Sequence, residues 1–227
     1  MKHKITRKQL KQPDEFISVT QRSFIFIRDH SRKIATGGVI LLVVFLALFL
    51  FQKWQKNKDD EAYGKFSLAL EAYQTGEQTA DYKNALEKLD EVITKFPGTS
   101  WGKLALLYKG NIHLRLGAFD EAGGAYNAFL QKAGKEKTYR LLALEGFGYA
   151  YEGKKDYQKA LGAYQKIIEE GESFQLANAY LSVGRCYEKL GKNKEASENY
   201  KSFLKVSQKS QMTNAVLRKI SSLEKSE

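Results

Sequence analysis

The sequence predicts an all-α protein: a single N-terminal transmembrane helix followed by a solenoid of helical hairpins. Three observations predict it. Residues 34–52 form an uncharged run of nineteen residues, a Gly/Tyr/Ala pattern recurs every 36–38 residues, and the positive charge is concentrated around the uncharged run. The 227 residues carry 37 Lys and Arg against 26 Asp and Glu, for a formal charge of +11, and 43% of them are hydrophobic. That is enough apolar content for a packed core, which excludes a wholly disordered chain. One Cys and three His leave no disulfide framework and no obvious metal cluster.

The charge decides between polyanionic partners. Residues 1–33 hold nine Lys/Arg and three acids, and residues 34–58 hold three Lys and no acid. The remaining 169 residues have 25 basic and 23 acidic groups and are nearly neutral. A nucleic-acid footprint would put basic groups on the large C-terminal part. Here they flank an apolar segment, so the partner polyanion is an anionic membrane and not a nucleic acid.

Residues 1–33 are read as a basic cytoplasmic tail. Pro13, Asp14 and Glu15 are a helix-start signature, because Pro tolerates the first turn and acids suit its positive end. Steps of 100° then place Phe16, Ile17, Val19, Phe24, Phe26 and Ile27 on one half of a wheel. Arg22, Arg28, Asp29, Arg32 and Lys33 fall on the other half, with Ile25 the one violation. Such a helix suits a lipid interface, a membrane partner, or a simple lead-in to the span.

Residues 34–54 are read as an uncleaved transmembrane signal anchor. Val39 to Phe51 contains only Val, Ile, Leu, Phe and Ala, and the run is apolar on every side, unlike a core helix. No small-x-small cleavage site follows it, and the lone Cys186 is too distant to be a lipoprotein anchor. The short basic tail should stay inside, which predicts a single-pass bacterial inner-membrane protein with a periplasmic C-terminal domain. Residues 55–60 are read as a linker.

Residues 61–208 are read as four repeats. Gly110, Gly148 and Gly184 each precede a ring by three residues: His113, Tyr151 and Tyr187. Each is followed after twelve residues by Ala (Ala122, Ala160, Ala196), and four residues later by Tyr (Tyr126, Tyr164, Tyr200). Small residues at these offsets let two helices approach closely while rings fill the space beside them. Turn signals at Leu116-Gly117, Gly153-Lys154-Lys155 and Leu190-Gly191-Lys192 interrupt each unit. A weaker first copy has Tyr82, Ala85 and Leu89, stops at Phe96-Pro97-Gly98, and lacks the helix-crossing Gly. Residues 209–227 should form a capping helix with a polar outer side.

The Gly…Tyr…Gly-x-(Phe/Tyr)-x-x-Ala-x-x-x-Tyr pattern resembles the tetratricopeptide repeat, whose expected period is about 34 residues. Asn193 departs from it, standing where Phe119 and Tyr157 place an aromatic, which predicts a looser last hairpin. Stacked hairpins leave a concave surface lined by the first helix of each repeat. The residues expected there are Leu107, Asn111 and Leu114, then Glu145, Tyr149 and Glu152, then Leu181, Arg185 and Glu188. Mixed apolar and charged groups suit an extended peptide or a partner helix. Glu145 has the wrong sign for repeats that clamp a terminal carboxylate.

No cofactor, metal site or catalytic arrangement is expected, and the chain is not read as an enzyme. Gly148 to Lys154 matches GxxxxGK, but Lys155 replaces the Ser/Thr of a P-loop and the first Gly sits in a helical pattern. Cys186 and His113 are read as packed residues. The whole plan resembles the YfgM-like family of inner-membrane ancillary subunits of the Sec translocon. That resemblance implies periplasmic repeats that contact translocating chains and chaperones. Two alternatives remain: a scaffold for another envelope assembly, division or secretion machine, or a self-associating structural protein.

Overall fold

A computed structural model describes residues 15–75, 79–132, 136–207 and 211–225. The tail residues before Glu15, including Pro13 and Asp14 of the helix-start signature, lie outside them. The described residues form ten α-helices and no strand, and the chain divides into two units, residues 1–56 and 57–227.

The first unit contains α1 (Glu15–Asp29) and the beginning of α2 (Ser31–Thr75). Arg32 and Lys33, expected at the end of the tail helix, instead open α2, because the helix breaks at His30. The backbone ladder is interrupted there. The amide of His30 donates to the carbonyl of Phe26 at 3.0 Å, and that of Ile34 to the carbonyl of His30 at 2.9 Å. The apolar stretch of α2 averages a hydropathy of 2.8 over eighteen residues, about 27 Å of helix at 1.5 Å per residue. All its large side chains from Val39 to Phe51 are exposed. Residues 55–60, expected as a linker, are helical and lie within α2.

The second unit pairs the C-terminal part of α2 with α3 (Thr79–Lys95), then α4 (Ser100–Arg115) with α5 (Phe119–Lys132). Next come α6 (Lys137–Gly153) with α7 (Tyr157–Glu170), α8 (Ser173–Lys189) with α9 (Asn193–Val206), and last α10 (Thr213–Glu224). Each helix from α3 on packs against its successor. In addition α4 touches α6 and α6 touches α8, so the leading helices form one layer.

The repeat signature explains the packing. Ala85, Ala122, Ala160 and Ala196 are all fully buried, as are Tyr126 and Tyr164, and Tyr200 is nearly so. Each of these tyrosines covers the helix-crossing Gly of its own hairpin. A Cβ added at Gly110, Gly148 or Gly184 would sit 2.7, 2.4 or 2.6 Å from the ring of Tyr126, Tyr164 or Tyr200, so only Gly admits the ring. The first repeat lacks that Gly and packs through rings instead. Tyr108 meets Phe66 and Tyr73 edge-on, with centroids 5.4 and 5.5 Å apart. The last hairpin, expected to be looser at Asn193, closes around Tyr200 and Phe203, which join Val216 and Ile220 of α10 in one core.

The turns follow one rule, with one surprise. The residue seven after each helix-crossing Gly takes positive φ: Gly117 at 71°, Lys155 at 61° and Gly191 at 72°. Within the turn signal Gly153-Lys154-Lys155, Lys155 makes the turn and Gly153 has another task. It ends α6 with the Phe119 ring of the preceding repeat laid against it, 2.4 Å from where a Cβ would stand.

Candidate functional site

The leading helices α4 and α6, with Tyr73 of α2 and Tyr126 of α5, enclose a groove of about 350 Å³. Five of the residues expected on the concave surface line it together: Leu107, Asn111, Leu114, Glu145 and Tyr149. They sit at three- and four-residue spacings on α4 and α6, so each helix turns one stripe inward. Leu107 contributes only an edge, being 4% exposed and packed in the core with Tyr126 and Phe129.

The groove floor is polar, with several of its groups bonded to one another. Tyr126 lies between Gly110 of its own hairpin and Gly146 of the next, and its hydroxyl donates to Asn111 Oδ1 at 2.7 Å. Burial pushes the Tyr126 phenol well above its usual pKa, so it remains a neutral donor. Glu145 accepts hydrogen bonds from Tyr149 Oη at 3.2 Å and from Asn178 Nδ2 at 3.3 Å. Burial first, and the Glu145 charge next, likewise raise the Tyr149 pKa. At the rim Arg115 donates to Tyr82 Oη at 3.2 Å, and its guanidinium stands 5.3 Å from the centre of the Tyr73 ring. That hydrogen bond heads the influences raising its pKa, so the rim keeps a fixed cation.

The other four expected residues lie elsewhere. Glu152 accepts from Tyr164 Oη at 2.7 Å and from two nitrogens of Arg185. Glu188 accepts from Tyr200 Oη at 2.7 Å and from Lys219 of α10 at 2.6 Å. Leu181 packs against the core around Tyr200 and Phe203. Position for position, Glu152 and Glu188 correspond to Leu114, while Arg185 corresponds to Tyr149. An ion pair thus bridges α6 to α8 and α8 to α10. At the α4–α6 seam the same two positions hold Leu114 and Tyr149, and there the groove lies.

Sequence reasoning missed Tyr108, Tyr139 and Leu142 on the groove walls. The signal was present, because Tyr108 before Asn111, and Tyr139 and Leu142 before Glu145, continue the same helical spacing toward each N-terminus. Leu142, 48% exposed, offers the groove's most accessible large apolar side chain.

Walls of tyrosine and leucine and one rim cation make a surface for side-chain and backbone contact, with no paired nucleophile and base. Among the described residues no three His, Cys, Asp or Glu side chains converge. Gly148, the first Gly of the GxxxxGK match, is buried mid-helix beneath Tyr164. His113 is half-buried outside the groove, and burial followed by Lys109 lowers its pKa, which leaves it neutral at pH 7.

The model of the tetratricopeptide repeat-like domain matches residues 25–225. The chain belongs to that family. No curated protein matches it by sequence. Among solved structures, the apo form of RapI is similar over 73% of this chain and 64% of its own, with 17% identity and a TM-score of 0.60. A tetratricopeptide repeat protein from Parabacteroides merdae matches 72% of this chain and 61% of its own, with 22% identity and a TM-score of 0.60. The chain thus spans less than two thirds of either protein. MamA from Desulfovibrio magneticus matches over 70% and 82%, with 17% identity and a TM-score of 0.56. At such identities the likeness is one of fold. The tetratricopeptide repeat-like solenoid is a scaffold suited to binding other proteins.

Proposed function

We propose that this protein is a membrane-anchored repeat scaffold whose α4–α6 groove binds extended or helical segments of other polypeptides. The observation that carries the reading is the groove itself, an open, tyrosine- and leucine-lined channel at the one seam of α4, α6 and α8 that lacks an interhelical ion pair. Rigid aromatic walls give contact area at small entropic cost. The apolar, fully exposed stretch of α2 and the basic residues before it support an inner-membrane anchor, with the tail cytoplasmic and the repeats periplasmic. The resemblance to YfgM-like ancillary subunits supports translocating chains and periplasmic chaperones as the clients.

Photo-crosslinking in living cells from Leu142 and Tyr149 tests the reading. Adducts with the translocon or with nascent exported chains support it. A single stable envelope protein in the adducts points to an envelope scaffold instead, and adducts of the chain with itself to a structural oligomer. An enzymatic reporter fused after Glu227 and active only in the cytoplasm would overturn the topology.

A further inference from the structure

We infer that α1 lies flat on an anionic lipid surface, with Val19, Phe24, Phe26 and Ile27 among the acyl chains and Arg22 and Arg28 among the headgroup phosphates. The inference rests on the membrane-anchored reading above and assigns a partner to a helix that reading leaves unused. Successive steps of 100° put the four apolar residues on one half of α1, opposite Arg22, Arg28 and Asp29. Each of the four is more than half exposed, Phe24 most of all at 70%. None belongs to a hydrophobic core among the described residues. Such a face on a short helix calls for a partner.

Chain length decides which partner. Only His30 to Lys33 separate α1 from the uncharged run that begins at Ile34. The α1 ladder ends with the His30 amide on the Phe26 carbonyl and the α2 ladder starts with the Ile34 amide on the His30 carbonyl, so the chain can turn at His30. The His30 ring stacks on Phe26 at 4.5 Å, and its Nδ1 lies 3.1 Å from the Phe26 carbonyl oxygen, which caps the end of α1. Four helical residues span about 6 Å, the thickness of one headgroup layer, so the end of α1 stays at the interface once α2 is inserted. An amphipathic helix held there sinks its apolar face roughly 5–10 Å.

Charge selects the lipid. Arg28 pairs with its neighbour Asp29 at 3.1 Å. Arg22, Arg32 and Lys33 have no carboxylate at ion-pair distance among the described residues. Three uncommitted cations around one apolar face match phosphate-bearing headgroups, each attracted within a Debye length of the surface.

The test is electron paramagnetic resonance on the full chain reconstituted in phosphatidylethanolamine–phosphatidylglycerol vesicles. Nitroxides are placed singly through Phe24→Cys, Ile27→Cys, Gln21→Cys, Ile25→Cys and, in mid-span, Val44→Cys. The buried Cys186 should take up no label in the parent chain. The expected result is a ratio of oxygen to water-soluble nickel accessibility several-fold higher at positions 24 and 27 than at 21 and 25. Ile25 is decisive, because it is apolar yet lies on the charged half. Water exposure at all four sites, with position 44 lipid-shielded, overturns the inference and leaves the span standing. Shielding of 24 and 27 from both reagents overturns it in favour of a protein contact. A water-exposed position 44 overturns the span and this inference with it. An undiminished contrast in pure phosphatidylcholine overturns the assignment to anionic headgroups.

Discussion

Arg185 of α8 grips the Glu152 carboxylate of α6 with two nitrogens, Nε at 2.6 Å from Oε2 and Nη2 at 2.7 Å from Oε1. Tyr164 of the intervening α7 adds a third donor at 2.7 Å. One carboxylate therefore ties together three successive helices. One repeat later Glu188, Tyr200 and Lys219 rebuild the same strut onto α10. Replacing a groove by a strut takes two substitutions per seam, Leu to Glu on one helix and Tyr to a cation on the next.

Glu152→Gln should therefore destabilise the repeat domain by about 1–3 kcal/mol, since it leaves a half-buried guanidinium with a weakened partner. Urea unfolding of the full chain in detergent, followed by circular dichroism, measures it. Adding Arg185→Met should recover part of the loss, and the coupling energy of the double-mutant cycle isolates the pair.

Gly148→Ala tests why the repeat carries its Gly. The new Cβ would stand 2.4 Å from two carbons of the Tyr164 ring, itself fully buried and fixed to Glu152. The expected loss is about 1–3 kcal/mol, as for other overpacked cores. Gly162→Ala, at a site with nothing within 4 Å, is the control and should be neutral or stabilising.

Lys155→Gly should act in the opposite direction. Lys155 holds φ at 61° where the two equivalent turns use Gly, and a side chain in that conformation costs about 1 kcal/mol. Part of the gain is returned to the unfolded chain as Gly entropy. A rise in unfolding midpoint worth up to about 1 kcal/mol is expected, and a fall would show that the Lys155 side chain makes compensating contacts.

How far the sequence reached can be read from these residues. Ala122, Tyr126 and Gly110 were legible because their contacts lie within one hairpin, and helical spacing alone brings them together. The long apolar helix was legible because composition over eighteen residues suffices. Glu152 and Arg185 were expected to line the groove and instead pair with each other, because spacing within a helix does not say what the next helix presents. Their mutual pairing depends on the offset between repeats, set by the junctions. The task of Gly153 was hidden for a related reason: spacing marks the turn at Gly153-Lys154-Lys155, and only packing shows Phe119 against the Gly.

Acid should loosen the C-terminal cap. Burial opposes ionisation of Glu188, but hydrogen bonds from Lys219 and Tyr200 outweigh it and hold the carboxyl below its usual pKa. A depressed folded-state pKa contributes stability that is present above the unfolded value, near 4.5, and is lost as pH falls through the folded value. Thermal unfolding of the wild type should hold its midpoint from pH 7 to about 5 and fall below that. Lys219→Met should flatten the acid limb, because Glu188 then titrates closer to its unfolded value. An unchanged acid limb would place the acid sensitivity elsewhere.

Cys186 supplies a probe of how the repeats open. Its side chain is fully buried in the core of Leu141, Leu144 and Tyr164. Burial first, and the Glu152 charge next, push the thiol up to about 12. At pH 8 only about one thiol in ten thousand is ionised, against roughly a quarter for a free Cys of pKa 8.5. Disulfide reagents should therefore find no reactive thiol in the native chain and one full equivalent in guanidinium chloride. Labelling under native conditions must then pass through opening of the α6–α8 core, so its rate reports the open population when closing outpaces reaction. Glu152→Gln and Gly148→Ala should both accelerate it in proportion to their loss of stability. Lys155→Gly should slow it. A rate that ignored all three would mean that Cys186 is reached by a local motion of α8 alone.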